Sequence, residues 1–378
     1  MNATVIWDLE TDAPELVPHV PGADGLLQRL RGPLALPAST VAVGAGQIRP
    51  NGHDRAFYQE VDGGVVALKG SEPTCGDFPA WVERMAKGHV HVEIQLGTAA
   101  IDTLLSRAEL RAIDKWPLIE GKVPGACTVR EALAEARAAA AFQRAHVARY
   151  GTAARVPLPL AVLRWPDEVV AQAAAALRPH LAERTRPIVE HALADGLGAY
   201  AYFYPMIPYR LWHLTVRDAV SGGYPARRDA MAGHLDARVI VERWIELVAR
   251  MLACGFVPKD PGALPTGDCL QPQNAIIDGG FADVESLVPS TGLDDRALAD
   301  ALRRTIAELA ATITRFLLGR QAATPAFRDR MADLHAHVWA AIARQLGADP
   351  PVDPRIASLV APASAWEGLD RICALAFP

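Results

Sequence analysis

Hydrophobic and polar positions change rhythm along the chain, from strand-like alternation to helical spacing. From Ser39 to Lys69 the pattern has period two. It predicts strands over Ser39–Ile48, Arg55–Val61 and Val65–Lys69. Asn51-Gly52 and Asp62-Gly63-Gly64 are turn signals between them, so the three strands read as an antiparallel meander. Residues 71–128 are mixed, with a strand expected over His89–Leu96 and a short helix over Ala99–Ile113. Thr128–Tyr150 reads as a strong helix. Thr128 can cap it, Glu131 stands three residues on as in a capping box, and Gly151 supplies the stop. Val156–Trp165 is strand-like, with prolines that suit a sheet edge. Asp167–Leu193 reads as helix that Pro179 and Pro187 should break or kink, and Tyr200–Ile207 reads as an aromatic strand.

Beyond residue 235 helical spacing dominates. Val239, Ile240, Trp244, Leu247, Val248 and Met251 line one stripe of a helix over Asp236–Cys254. A loop rich in Gly and Pro follows, Gly255–Gly267. Two short strands, Asn274–Ile277 and Gly280–Val284, are expected around an Asp278-Gly279 turn. Long helices are predicted over Asp294–Leu318 and Pro325–Leu346. Residues 1–38 are rich in proline and acid, with a short helical piece near Gly25–Arg31. A β-rich first part followed by a helical part is an α+β layout in two lobes.

Composition narrows the functions open to such a chain. Its 378 residues carry a net charge of −5, which leaves no basic footprint for nucleic acid or anionic lipid. No apolar run approaches the ~18–20 residues that span a bilayer. The segment Met1–Glu10 has acids where a signal peptide has bases, so a soluble cytoplasmic protein is expected. The five cysteines include no Cys-x-x-Cys pair, so neither a disulfide framework nor a zinc ribbon is suggested. Only five of the 38 basic residues are lysines. A lysine at the end of an apolar strand therefore invites a chemical explanation.

Lys69 is such a residue. Alternation places Val65, Ala67 and Lys69 on one face of a strand, where a rigid sheet could hold the ammonium against phosphate oxygens. Glu131 and Glu135 on the following helix are candidates to pair with it. Glu135 is preferred, because Glu131 is engaged in capping. The ammonium is expected within roughly 4 Å of one of them. The second informative stretch runs from Gly267 to Glu285. There Asp268 precedes a loop ending in Asn274, and the hairpin delivers Asp283 nine residues later. Mg²⁺ bound to a triphosphate takes hard oxygen ligands of this kind. A further Asp could take a proton from an attacking group. His335 and His337 on a helix diverge by about 200° and cannot share a metal. His89 and His91 stand at strand spacing with no nearby residue to complete a site.

The order of these parts resembles the protein-kinase-like superfamily, in particular its aminoglycoside-phosphotransferase-like branch. A meander carries Val66-Ala67-Leu68-Lys69, a helix carries Glu135, and the aromatic strand falls at the family's hinge. Asn274 and Asp283 then follow a long helix. The resemblance implies a two-lobed fold with a β-rich N-lobe over residues 39–207, with insertions. A helical C-lobe with a catalytic-type loop spans 208–378, and residues 1–38 form an extension. It further implies ATP and Mg²⁺ bound between the lobes and a small-molecule acceptor, with neither nucleic acid nor membrane as partner. By the same likeness Lys69 holds the phosphates, Glu135 anchors Lys69, and Gly44 and Gly46 belong to the phosphate-covering loop. Asn274 and Asp283 hold the metal, and Asp268 is the base.

The chain also departs from the family. No His or Arg precedes Asp268, Asp283 is followed by Val-Glu, and the third glycine of the covering loop is missing. The loop from Asp268 to Asn274 is one residue longer than usual, so counting back from Asn274 puts Cys269 at the base position. Lys69-Gly70 is similar to adenylylating selenoprotein-O-like pseudokinases, and Gln273-Asn274 to siderophore synthetases that activate carboxylates with ATP. The alternatives are therefore adenylyl transfer, carboxylate–amine ligation, or a nucleotide-binding pseudokinase.

Overall fold

The computed structural model describes residues 3–31, 47–48, 56–70, 127–178, 186–206, 210–211, 236–258, 270, 274–318 and 325–360. The expected strand His89–Leu96, the helix Ala99–Ile113, His89, His91 and the Asn51-Gly52 turn lie outside them. The chain is α+β and divides into two compact units. The first holds residues 1–140, 158–207 and 216–218, and the second 141–157, 208–215 and 219–378.

The first unit is built on an antiparallel sheet. Its strands are β1 (Thr4–Asp8), β2 (Gln47–Ile48), β3 (Ala56–Val61), β4 (Gly64–Lys69), β5 (Cys127–Thr128), β6 (Leu158–Arg164) and β7 (Leu197–Tyr204). The spatial order is β1-β6-β7-β4-β3-β2, with β5 paired to the start of β7. The expected meander is present as β2-β3-β4. Asp62-Gly63 forms its two-residue turn, with Gly63 at φ +76, where a side chain would be strained. β1 comes from the segment read as an extension and pairs with β6. Two helices follow it, α1 (Leu9–Asp12) and α2 (Ala23–Arg31), the latter burying Leu26, Leu27 and Leu30.

One expectation is corrected here. β6 is an interior strand between β1 and β7, although its proline suggested an edge. The reason is local. β1 covers β6 only from Ala161 to Arg164, and Pro159 lies beyond that stretch, where the pairing with β7 also shifts register. At Pro159 itself the strand is half an edge, and the missing N–H costs no ladder bond to β1.

Helix α3 (Val129–Tyr150) opens with the expected capping box. The Thr128 N–H donates to Glu131 Oε2 at 2.8 Å, and the Glu131 N–H donates to Thr128 Oγ1 at 3.1 Å. It closes at Gly151, whose φ of +71 and N–H bond to the Val147 carbonyl make a left-handed stop. The stretch expected to break at its prolines holds α4 (Asp167–Leu177) and α5 (Arg186–Ala194), the latter with Pro187 in its first turn, and Pro179 lies outside the described residues.

The second unit is mainly helical. Its helices are α6 (Ala237–Ala253), α7 (Asp295–Leu318), α8 (Pro325–Ala348) and α9 (Pro354–Val360). Asp236 caps α6 by accepting the Arg238 N–H at 2.8 Å. The buried stripe of α6 carries Trp244 edge-on to Phe316 of α7, with ring centroids 5.1 Å apart. The segment read as a loop after α6 begins instead with β8 (Phe256–Pro258), which pairs with β9 (Leu287–Pro289). Pro258 and Pro289 both sit at strand ends, which is why a Pro-rich stretch still forms a ladder. No described helix is long and apolar enough to cross a membrane.

Candidate functional site

In the first unit, β4 buries alternate residues, so Val65, Ala67 and Lys69 share the covered face. Lys69 stands in register with Tyr200 of β7, Ala67 with Tyr202 and Val65 with Tyr204. On α3, Ala132, Ala136 and Ala139 are fully buried at helical spacing, and Glu135 lies in the same stripe. Small alanine side chains let the helix come close enough for the carboxylate to reach the strand. Lys69 Nζ meets Glu135 Oε2 at 2.6 Å, with 8% and 2% of the two side chains exposed. Glu131 stays in the capping box, as its position suggested.

Gly70 fixes the end of this strand. Its φ is +84, and a Cβ there would come within 2.6 Å of the Gly198 carbonyl oxygen. The Trp165 indole N–H donates to the Gly70 carbonyl at 3.0 Å, so the backbone just after Lys69 is held from the side. Neither restraint was visible in the sequence.

In the second unit, the expected hairpin exists in minimal form. A single bridge, Ala275 with Phe281, replaces two full strands. Main-chain bonds Ile276 N to Gly280 O (2.8 Å) and Ala282 N to Asn274 O (2.7 Å) close it. Asp278 accepts the Gly280 N–H at 2.9 Å, and Gly279 has φ +96, as a tight turn demands. The hairpin stays short because its polar backbone groups are satisfied from outside. The Trp244 indole donates to the Ile276 and Gly280 carbonyls at 3.1 and 3.2 Å. The Phe281 N–H donates to the Arg155 carbonyl, and the Leu211 N–H to the Ala275 carbonyl.

This frame puts Asn274 and Asp283 on facing arms of one hairpin. Asn274 is buried, and its Oδ1 accepts from Arg210 Nη1 at 3.1 Å. Asp283 is half-buried. A carboxamide oxygen and a carboxylate are hard donors of the kind Mg²⁺ takes. Arg210 was missed in the sequence, because nothing near it in the chain announces that it bridges to Ile276. Asp268, Cys269, Gln273, Gly44 and Gly46 lie outside the described residues.

A second group of polar side chains lines a cleft of about 590 Å³, bordered by Tyr150, Glu242, Glu246, Arg250, Gln345 and Asp349. Its charges compensate one another. Asp349 accepts from Arg149 and from the Tyr150 hydroxyl. Glu246 pairs with Arg250, whose guanidinium covers the Tyr150 ring at 4.7 Å, and Glu242 pairs with Arg238. Burial and the Asp349 bond push the Tyr150 phenol well above its ordinary pKa, so it stays protonated. Burial also raises the nearby Cys254 thiol to about 11, which makes it a poor nucleophile at neutral pH. The arrangement is a brace between helix ends. His337, on α8, is buried with its Nδ1 2.6 Å from the Asp333 carbonyl, while His335 turns towards Trp339.

Compared with protein-family models, with curated proteins and with solved structures, the chain finds no match.

Proposed function

We propose that this chain is an ATP- and Mg²⁺-dependent phosphotransferase acting on a small-molecule acceptor, built on a two-lobed kinase-like plan. The observation that carries the reading is the buried Lys69–Glu135 ion pair. Burying two opposite charges costs several kcal/mol per ion and seldom repays itself in stability. A lysine held at one point by a carboxylate is better explained as a fixed cation for phosphate oxygens. The pairing of its strand with β7, the strand at the expected hinge position, agrees with this.

In this reading Lys69 holds the α- and β-phosphates, and Glu135 keeps its ammonium in place. Gly44 and Gly46 belong to the loop over the phosphates. Asn274 and Asp283 hold Mg²⁺, which supplies neutralisation of phosphate charge. Asp268 is the candidate to take the acceptor's proton. Asp268→Ala is then expected to cut turnover by ~10²–10⁴ while nucleotide affinity stays close to wild type.

The test is to measure nucleotide binding, then products with ATP, Mg²⁺ and a panel of small molecules bearing hydroxyl or amino groups. ADP with a phosphorylated acceptor is expected. AMP or pyrophosphate would replace phosphotransfer by adenylyl transfer or ligation. Nucleotide binding without any product would leave a pseudokinase, and no binding with or without Mg²⁺ would sink every ATP-dependent reading.

A further inference from the structure

We propose that Trp165 is a positioning residue for Lys69, acting through the Gly70 carbonyl. The proposal rests on the phosphotransferase reading above. β4 ends at Lys69, which stands in register with Ala56 of β3 on one side and Tyr200 of β7 on the other. Beyond that point β7 changes partner, because Gly198 pairs with Cys127 of β5. Gly70 therefore sits where one ladder stops and the next begins, and strand ends of this kind open most easily. The Trp165 indole restrains it there, donating to the Gly70 carbonyl at 3.0 Å in a buried place. Trp165 is 1% exposed, and its own main-chain N–H donates to the Leu197 carbonyl at 2.9 Å. One residue thus ties the end of β4 to β7.

Gly70 also stands against the start of the helix that carries Glu135. A Cβ on Gly70 would come within 2.9 Å of the Cys127 main-chain nitrogen, and α3 begins at Val129. The end of β4 and the start of α3 are thereby fixed against each other, and Lys69 and Glu135 meet beside that join at 2.6 Å. A lysine ammonium is a point charge on a flexible stem, so a strand end that drifts carries the charge with it. In the reading above that charge acts on phosphate whichever partners its hydrogens have. A buried carbonyl that loses its donor is costly to leave unpaired. Turning the Gly70 peptide to find another donor moves the main chain next to Lys69. A misplacement of about 1 Å can cost as much as ~10²-fold where groups must meet in one geometry.

The readout is the preference for phosphates, taken as the affinity for the non-hydrolysable analogue AMP-PNP with Mg²⁺ divided by that for adenosine. Both are measured by calorimetric and NMR titration beside thermal melts. Trp165→Phe keeps an aromatic ring and removes the donor, and it is expected to lower this ratio by about tenfold while adenosine affinity stays at its wild-type value. A second protein carries β-3-benzothienylalanine at position 165, where sulfur replaces the N–H within the same bicyclic shape. It should show the same loss, and it decides the matter if Trp165→Phe does not fold. A merely structural role would lower melting temperature and both affinities together, leaving the ratio unchanged. That result would overturn the proposal, as would a benzothienyl protein with the wild-type ratio. If the wild type prefers AMP-PNP and both variants keep that preference, the proposal fails and the phosphotransferase reading stands. If the wild type binds no AMP-PNP, or binds it no better than adenosine, both fall.

Discussion

Two ion pairs, one in each unit, use charge in opposite ways. Lys69 and Glu135 come from a strand and a helix and meet at 2.6 Å in a nearly water-free place. Arg355 and Asp353 are near neighbours in the chain. Arg355 grips both carboxylate oxygens, at 3.1 and 2.8 Å. The same guanidinium donates to the Leu293 and Ser290 carbonyls and to Asp295. Asp353 accepts further from the Ser290 hydroxyl and from the Arg355 N–H. The Arg355 pair ties β9, its following turn, the start of α7 and α9 together through many bonds, with its cation near water. That is how charge stabilises a fold. The Lys69 pair takes a flexible ammonium out of water, where a methionine and a leucine would pack at less cost. On the proposed reading the first pair is kept for what it presents, whereas the second is kept for what it joins.

The largest expected effect tests the first half of that contrast. Lys69→Met alone should cost about 3–5 kcal/mol in urea unfolding, because it leaves the Glu135 carboxylate buried without its cation. Lys69→Met combined with Glu135→Leu should return to within about 1 kcal/mol of wild type and still fail to bind AMP-PNP. A double variant that unfolds as readily as the single would show that the pair holds the fold together, and the contrast would disappear.

The second half is tested by acid. The Arg355 guanidinium holds the Asp353 carboxyl down to about 2 from its ordinary 3.8, against the opposing effect of burial. The unfolded chain therefore takes up its proton near 3.8, while the native carboxylate resists until about 2. Stability from this group is complete above the unfolded value and is lost as pH falls through the folded one. Asp353→Asn should lower the melting temperature by roughly 2–4 °C at neutral pH and flatten its decline between about pH 4 and pH 2. An unchanged acid limb would remove Asp353 from the account.

The smallest effect lies at neutral pH. Burial pushes the His146 imidazole below its ordinary 6.5, offset in part by its bond to the Thr152 carbonyl at 2.7 Å. The native ring stays neutral while the unfolded one takes a proton, so stability should fall as pH drops below the ordinary value. His146→Gln should make urea midpoints less sensitive to pH between about 7 and 5. If wild type and variant slope alike there, another group carries the dependence.

Local grammar made much of this molecule readable. The start and end of α3 follow from Thr128, Glu131 and Gly151, because each signal acts within a few residues. The meander was legible for the same reason, since Asp62-Gly63 fixes β3 against β4. What depends on distant partners was not. β1 pairs with β6 across more than 150 residues, and no local feature of Thr4–Asp8 says so. β8 forms inside a Pro-rich stretch because β9 waits some 30 residues on. At the candidate site, Lys69 and Glu135 could be foreseen to meet because alternation sets Lys69 on one face of its strand and the capping box already engages Glu131. The contact of Arg210 with Asn274 could not, since it depends on one bridge and one side-chain bond.

The tryptophan indoles have a use of their own as resonances in an NMR spectrum. Indole N–H signals fall in a sparsely filled region, and this chain has eight tryptophans. Trp165 donates to the carbonyl of Gly70, the residue after Lys69, and Trp244 donates to the two carbonyls that turn the Asn274 hairpin. Trp339, which donates to the Val360 carbonyl, serves as a reference far from both in sequence. The chemical shift of an N–H follows the length of its hydrogen bond, so each unit carries its own spectator beside its candidate residues. Once Trp165→Phe and Trp244→Phe have assigned the peaks, a nucleotide titration would show which of them moves first, in a protein that needs no added label beyond nitrogen-15.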